Sequence, residues 1–189
     1  MPVQKSDEET VVFCAIDLFR RHGYHKTTMA ELGTASGLLK GSLYHYFPGK
    51  EQLAIRAMET VHGHFRTYVF PLVSDPTVMP ADRLKNFADA VLQYFDSREG
   101  GCLIGNLALE TIDSVGEFRP AIQSYFSDWV NSYTTIYQAL GLARRQALTK
   151  AREAVALIQG ALMMNRIFGN KETLREALTH LAQWPMMSG

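Results

Sequence analysis

Thr27-Thr28-Met29-Ala30-Glu31-Leu32, then Ala35-Ser36-Gly37-Leu38, then Lys40-Gly41-Ser42-Leu43-Tyr44-His45-Tyr46-Phe47, is the stretch that decides how this chain is read. Thr27 or Thr28 can cap a short helix, and Glu31 stands three residues after Thr28, the spacing of a capping box. Gly37 follows where that helix should end, near Ser36, and suits a turn that residues with a Cβ resist. A second short helix starts near Leu39 or Lys40 and runs to Phe47. Two short helices around a glycine turn are the sequence form of a helix-turn-helix. In that motif the second helix enters the major groove of DNA with its N-terminal residues toward the bases.

The residues just upstream complete the unit. Ser6, Asp7, Glu8 and Glu9 offer an N-cap and acids suited to the positive end of a helix dipole. Val11, Ala15, Leu18 and Phe19 recur at helical spacing on one face, and Gly23 stops the helix after Arg20-Arg21-His22. From Arg20 to Lys50 the chain carries five basic residues and one acid, a local +4 in a protein whose 19 basic and 19 acidic residues cancel. Gly41 and Ser42 allow close backbone approach to DNA. Tyr44, His45 and Tyr46 can bond phosphates or stack on sugars and bases. Lys50 opens the next helix after Pro48-Gly49, where its ammonium and the helix N-terminus can share one phosphate. Leu43 and Phe47, four apart, should face the core. A basic helical hairpin with a solvated face has these same general features, so periodicity and charge leave both readings open.

The residues themselves go further. Ala15-Ile16-Asp17-Leu18-Phe19, Gly23-Tyr24, the stretch quoted above, and Lys50-Glu51 with Leu53 together resemble the DNA-binding signature of TetR-type regulators. The resemblance covers the first quarter of the chain. It implies that Thr27 or Thr28, Lys40, Gly41, Ser42, Tyr44, His45, Tyr46 and Lys50 face double-stranded operator DNA, while Leu43 and Phe47 hold the helix down. Leu39 departs from the small or polar residue common before the recognition helix. The fold implied is all-α: a three-helix DNA-binding domain over 1–49 and a helical effector-binding and dimerisation domain over 50–189.

Composition and pattern agree with such a chain. Its 47% hydrophobic content suffices for packed cores. MPVQKSDEET lacks the apolar stretch of a signal peptide, no run reaches the length of a membrane span, and Cys14 and Cys102 form no C-x-x-C pair. A cytoplasmic protein that does not engage membranes is expected. His22, His25, His45, His62, His64 and His180 make no catalytic or metal signature, and no nucleophile elbow, Walker loop or dinucleotide fingerprint is present. Neither enzyme chemistry nor a cofactor is expected.

After Lys50 the pattern is helical almost throughout. Candidate helices are Glu51 to Phe70, Ala81 to Ser97, Cys102 to Ser114, Arg119 to Leu140, Thr149 to Phe168 and Lys171 to Trp184, for about nine in all. The resemblance implies that the last two pair with their twofold mates in a homodimer. Ala151, Ala154, Val155, Ile158, Leu162 and Ile167, with Leu174, Ala177, Leu178 and Leu181, fit either that bundle or an intramolecular core. It also implies an effector site among the middle helices, with Phe65, Tyr68, Phe87, Val91, Phe95, Cys102, Asn106, Tyr125, Phe126, Trp129, Tyr133, Met163 and Met164 as candidate walls. Their character points to an apolar or aromatic small molecule. Gly100-Gly101-Cys102-Leu103-Ile104-Gly105-Asn106-Leu107-Ala108-Leu109-Glu110 resembles a motif in a subset of these regulators, some of which respond to electrophiles or oxidants through a cysteine at this place. A buried structural cysteine is the simpler alternative. The function expected is a repressor released from a palindromic operator by its effector, the alternative being a helical ligand-binding protein with a degenerate DNA-binding domain.

Overall fold

The computed structural model describes residues 5–38 and 40–187, with side chains for 8–38 and 41–184; Leu39 and the side chain of Lys40 lie outside the described residues. Among the described residues there are nine α-helices and no strand. In chain order they are α1 (Lys5–His22), α2 (Met29–Ser36), α3 (Lys40–Tyr46), α4 (Lys50–Tyr68), α5 (Pro80–Asp96), α6 (Leu103–Thr111), α7 (Arg119–Ala139), α8 (Arg144–Phe168) and α9 (Glu172–Met187). Short 3-10 turns occupy Phe70–Ser74 and Gly116–Phe118.

Packing divides the chain into two compact units, Met1–Gly63 with Leu103–Ile122 and His64–Cys102 with Gln123–Gly189. The 49/50 division follows expected role, whereas the compact units follow contact. α6 and the Gly116–Phe118 turn join the first unit because α6 packs on α1. Hydrophobic periodicity carries no information about this, since a helix's partner is not written in its own spacing.

In the first unit, Val11, Val12, Ala15, Ile16 and Phe19 of α1 are buried with Leu32 of α2, Leu43 of α3, Leu53 and Ala57 of α4, and Ile104 and Leu107 of α6. The boundaries of α2 are set by its caps. Thr28 Oγ1 accepts from Glu31 N at 3.2 Å, and the Glu31 carboxylate accepts from Thr28 N at 2.8 Å, a reciprocal capping box. Gly37 closes the helix at φ 69°, with its N–H directed to Thr34 O and Gly33 O.

In the second unit the core is aromatic. Trp129, Tyr133 and Tyr137 lie four apart along α7, with stacked ring centroids 6.3 Å and 5.8 Å apart. Phe65 meets Trp129 at 5.4 Å, Tyr125 at 5.5 Å and Tyr94 at 4.7 Å, and Phe87 meets Tyr133 edge-on at 5.0 Å. Such tilted and edge contacts let the positive ring edge meet the negative face. α9 packs on both α5 and α8.

Two expectations change here. α8 begins at Arg144, five residues before Thr149, because Gly141 supplies the positive φ of the preceding turn and Ala143 takes the N-cap. Of the residues offered for a dimer bundle, Ala151, Ala154, Val155, Ile158 and Leu162, with Leu174, Ala177, Leu178 and Leu181, are buried within the single chain, and only Ile167 is exposed. The apolar side chains that α8 leaves uncovered are Leu157, Met163, Met164, Ile167 and Phe168.

Candidate functional site

Helix α3 is amphipathic in the sense a DNA-reading helix needs. Leu43 is fully buried and Phe47, just beyond it, nearly so; their contacts with the first unit fix the helix. Gly41, Ser42, Tyr44 and His45 are exposed, and Tyr46 is half-buried with its ring 6.0 Å from that of His45. A Cβ at Gly41 would meet no atom within 4 Å, so the surface there is open. These side chains carry donors, acceptors and flat rings with no acid among them, a set suited to phosphate and base edges. Lys40 sits at the start of the same helix.

The two threonines part company. Thr28 is exposed and caps α2. Thr27 is fully buried, and its hydroxyl donates to Gly23 O at 2.7 Å. Its side chain therefore braces the turn before α2 and does not face solvent. Sequence alone gives the two neighbours equal claim, because either can cap a helix.

The local positive charge is also more committed than a residue count implies. Arg20 is buried and bonds Asp17 at 2.9 Å, and Arg21 reaches the same carboxylate at 3.1 Å. Lys50 donates to Tyr24 O at 2.9 Å with its ammonium 4.2 Å from the centre of the Tyr24 ring. Burial lowers the pKa of Lys50, opposed by the nearby Glu110 and Glu51 carboxylates. Asp17 lies outside the Arg20–Lys50 window, and Glu110 is sixty residues beyond it, so neither entered the +4.

The residues considered for an effector site also separate. Phe65, Phe87, Val91, Phe95, Cys102, Tyr125, Trp129 and Tyr133 are all buried in the second unit, and Phe126 is half-buried with its ring 5.4 Å from that of Tyr125. Burial raises the hydroxyl pKa of Tyr125 well above its ordinary value, with Cys102 adding to the effect, and burial does the same for Tyr133. Both hydroxyls stay protonated at physiological pH. Tyr133 Oη has no hydrogen-bond partner among the described residues. Tyr68 and Met163 point to solvent at 66% and 54% exposure, and Met164 is also exposed. Asn106 belongs to the first unit, where its side-chain amide donates to Arg20 O at 3.0 Å. Cys102, directly before α6, is only 4% exposed.

A cavity of about 300 Å³ meets this core at Phe95 and Leu162 and carries charge elsewhere, with Asp96, Arg98, Glu99, Arg166 and Lys171 in its lining. Among the described residues, no group of three or more His, Cys, Asp or Glu is placed to hold a metal ion. No described helix is long and apolar enough to cross a membrane.

Comparison with known proteins agrees with this geometry. The profile described as bacterial regulatory proteins, tetR family, matches residues 14–57, and that of the transcriptional regulator LmrA/YxaF-like C-terminal domain matches residues 80–180. An uncharacterized HTH-type transcriptional regulator, YxaF of Bacillus subtilis, is 29% identical over 168 residues, covering 87% of each chain. The HTH-type transcriptional repressor DhaR of a Mycobacterium species is 27% identical over 167 residues, covering 86% of this chain and 83% of its own. A TetR transcriptional regulator of Chloroflexus aurantiacus superposes with a TM-score of 0.80 at 28% identity, covering 95% of this chain and 94% of its own. With an amphipathic α3 seated on a capped α2, and with both parts of the chain matched, this protein belongs to the TetR family of DNA-binding transcriptional regulators.

Proposed function

We propose that the protein is a homodimeric repressor that binds a palindromic operator through α3 and is released by a neutral, largely aromatic small molecule held in the second unit. The observation that carries the DNA role is the face of α3: Gly41, Ser42, Tyr44 and His45 exposed above buried Leu43 and Phe47. Thr28, Lys40, Tyr46 and Lys50 complete the contact set, with Lys50 exchanging the Tyr24 carbonyl for a phosphate. One short helix reads few base pairs, so two copies on a twofold site are needed for specificity. The exposed apolar residues of α8 supply the surface on which a second copy packs. Repression is the action named for the Mycobacterium relative.

The effector class follows from the core. Phe65, Phe87, Phe95, Tyr125, Trp129 and Tyr133 bring rings and hydroxyl or indole donors and no charged side chain, so an ionised ligand would lose its hydration without a counter-charge. A neutral ring system with a carbonyl or ether oxygen suits these donors, and Tyr133 Oη is a buried hydroxyl without a hydrogen-bond partner among the described residues. The 300 Å³ cavity beside this core is at the lower end of the range for small-molecule sites, and its charged lining (Asp96, Arg98, Glu99, Arg166 and Lys171) would take the polar end of a ligand whose rings enter at Phe95. Release works by population shift: the effector lowers operator affinity only by the difference in its affinity for the two states.

The test is a fluorescence-anisotropy titration of the operator with and without neutral aromatic ketones, against their carboxylate analogues. Neutral compounds should weaken operator binding, and Tyr133→Phe should blunt the effect. A response confined to the carboxylates would overturn the effector class, and operator binding indifferent to every compound in the panel would count against induction by this class.

A further inference from the structure

Tyr68 is exposed at the end of α4, but it has ring neighbours. It stands four residues after His64, and on α5 Gln93, Tyr94, Ser97 and Arg98 recur at the spacing that brings side chains to one helix face. These six residues, all in the second unit, help line a second cavity of about 320 Å³. The His64 ring is tilted against two phenols, its centroid 5.1 Å from that of Tyr68 and 5.1 Å from that of Tyr94. Gln93 and Ser97 are exposed and bring an amide and a hydroxyl to the same space.

Arg98 gives this cavity its charge. Its guanidinium lies over Tyr94, with Cζ 4.1 Å from the ring centre, and Nη1 donates to Tyr94 O at 2.5 Å and to Ser97 Oγ at 3.0 Å. Those contacts fix the group on the ring face. They leave the Nε–Nη2 edge, a pair of donors that can grip a carboxylate in two parallel bonds, with no acceptor among the described residues. No acidic side chain lines the cavity; Asp89, Asp96 and Glu99 line others. The field of the guanidinium reaches His64, whose pKa is lowered by burial first and by Arg98 second, so the imidazole is neutral at physiological pH. A fixed positive edge beside neutral rings is complementary to a molecule with an anionic group on a flat ring system.

We propose that this cavity is a binding site for an aromatic carboxylate, gripped by the Nε–Nη2 edge of Arg98 with its rings against His64 and Tyr68. The site is separate from the core assigned above to a neutral effector. Neither His64 nor Tyr68 lines the 300 Å³ cavity, and Arg98 is the one residue that lines both. The inference goes beyond the repressor reading and does not rest on it.

The test is a calorimetric titration of the full-length protein with 2-naphthoate, with neutral 2-naphthamide and non-aromatic cyclohexanecarboxylate as comparisons. Wild type should bind 2-naphthoate at one site per chain, and each comparison compound at least about tenfold more weakly. Arg98→Gln should weaken 2-naphthoate binding about tenfold or more, and Tyr68→Leu about fivefold. Arg98→Gln also gives up bonds to Tyr94 and Ser97; Tyr68 is exposed, so its variant should melt with wild type and decides the matter if the arginine variant fails to fold. Arg166→Gln, in the neighbouring cavity, and Tyr133→Phe, in the core, should bind 2-naphthoate within about twofold of wild type. No binding by wild type, or 2-naphthamide bound as tightly as 2-naphthoate, overturns the proposal. So does a loss of affinity in Arg166→Gln or Tyr133→Phe with none in Tyr68→Leu, which puts the anion elsewhere in the second unit.

Discussion

Gly23 shows how much one residue can hold in place. Its positive φ and the Glu110 carboxylate packed against it exclude a side chain twice over, once through the backbone and once through space. Gly23→Ala should destabilise the protein by about 1–3 kcal/mol, the usual cost of a strained backbone position, as read by urea denaturation. Glu110→Ala removes the collision partner, so the double variant should lose less than the two single losses added together. Strict additivity would show that the carboxylate is not what Gly23 makes room for. From sequence, Gly23 is legible as a helix stop, but its partner is not, because Glu110 is far along the chain. The motif around Cys102 contains both Asn106 and Glu110, but from sequence it is read through its thiol, with Asn106 as a candidate effector wall; the structure places both side chains against the end of α1 and its turn. Thr27 and Thr28 illustrate the opposite limit. Sequence identifies both as candidates, and only packing turns one hydroxyl inward.

At the scale of elements, α2 and α3 are the best-read parts of the chain because local chemistry fixes them. The Thr28–Glu31 box and the left-handed Gly37 need no tertiary information, and the boundaries of α2 follow. Thr28→Ala should cost about 1 kcal/mol through the lost cap. The box also titrates. Hydrogen bonds first from the Thr28 backbone and then from its side chain hold the Glu31 pKa below its usual value. Its contribution is therefore complete at neutral pH, begins to fade near the ordinary glutamate value of about 4.3, and is lost as pH falls through the depressed folded value. The protection factors of the α2 amides, corrected for the intrinsic pH dependence of exchange, should fall over that acid window, and Glu31→Gln should remove that fall. Exchange in α2 that follows pH identically in the two proteins would show the box does not hold the helix. Leu43→Ala deletes the anchor of α3 and should cost about 2–5 kcal/mol, abolishing specific DNA binding along with stability. The later helices were legible as helices because their stripes repeat every three or four residues. Which stripe faces inward within one chain was not, since an intramolecular core and a twofold bundle demand the same periodicity. α8 resolves the ambiguity by burying Ala151, Ala154 and Ile158 and leaving Ile167 and Phe168 bare.

For the whole molecule, those bare residues make assembly the next question. Ile167→Glu with Phe168→Glu places charge on the uncovered face of α8 while leaving the chain's own core untouched. Sedimentation should show a dimer for the parent and a monomer for the variant, with specific operator affinity falling about a hundredfold or more as the second half-site contact is lost. A variant that stays dimeric would place the interface elsewhere. The central claim, sequence-specific binding through α3, is tested most directly by selecting bound duplexes from a random pool and titrating the winner at physiological salt with wild type and Tyr44→Ala. A palindrome held tightly by wild type, and at least about tenfold more weakly by the variant, is the predicted result. Failure to enrich any sequence, with weak binding that is steeply salt-dependent and indifferent to Tyr44, would contradict it.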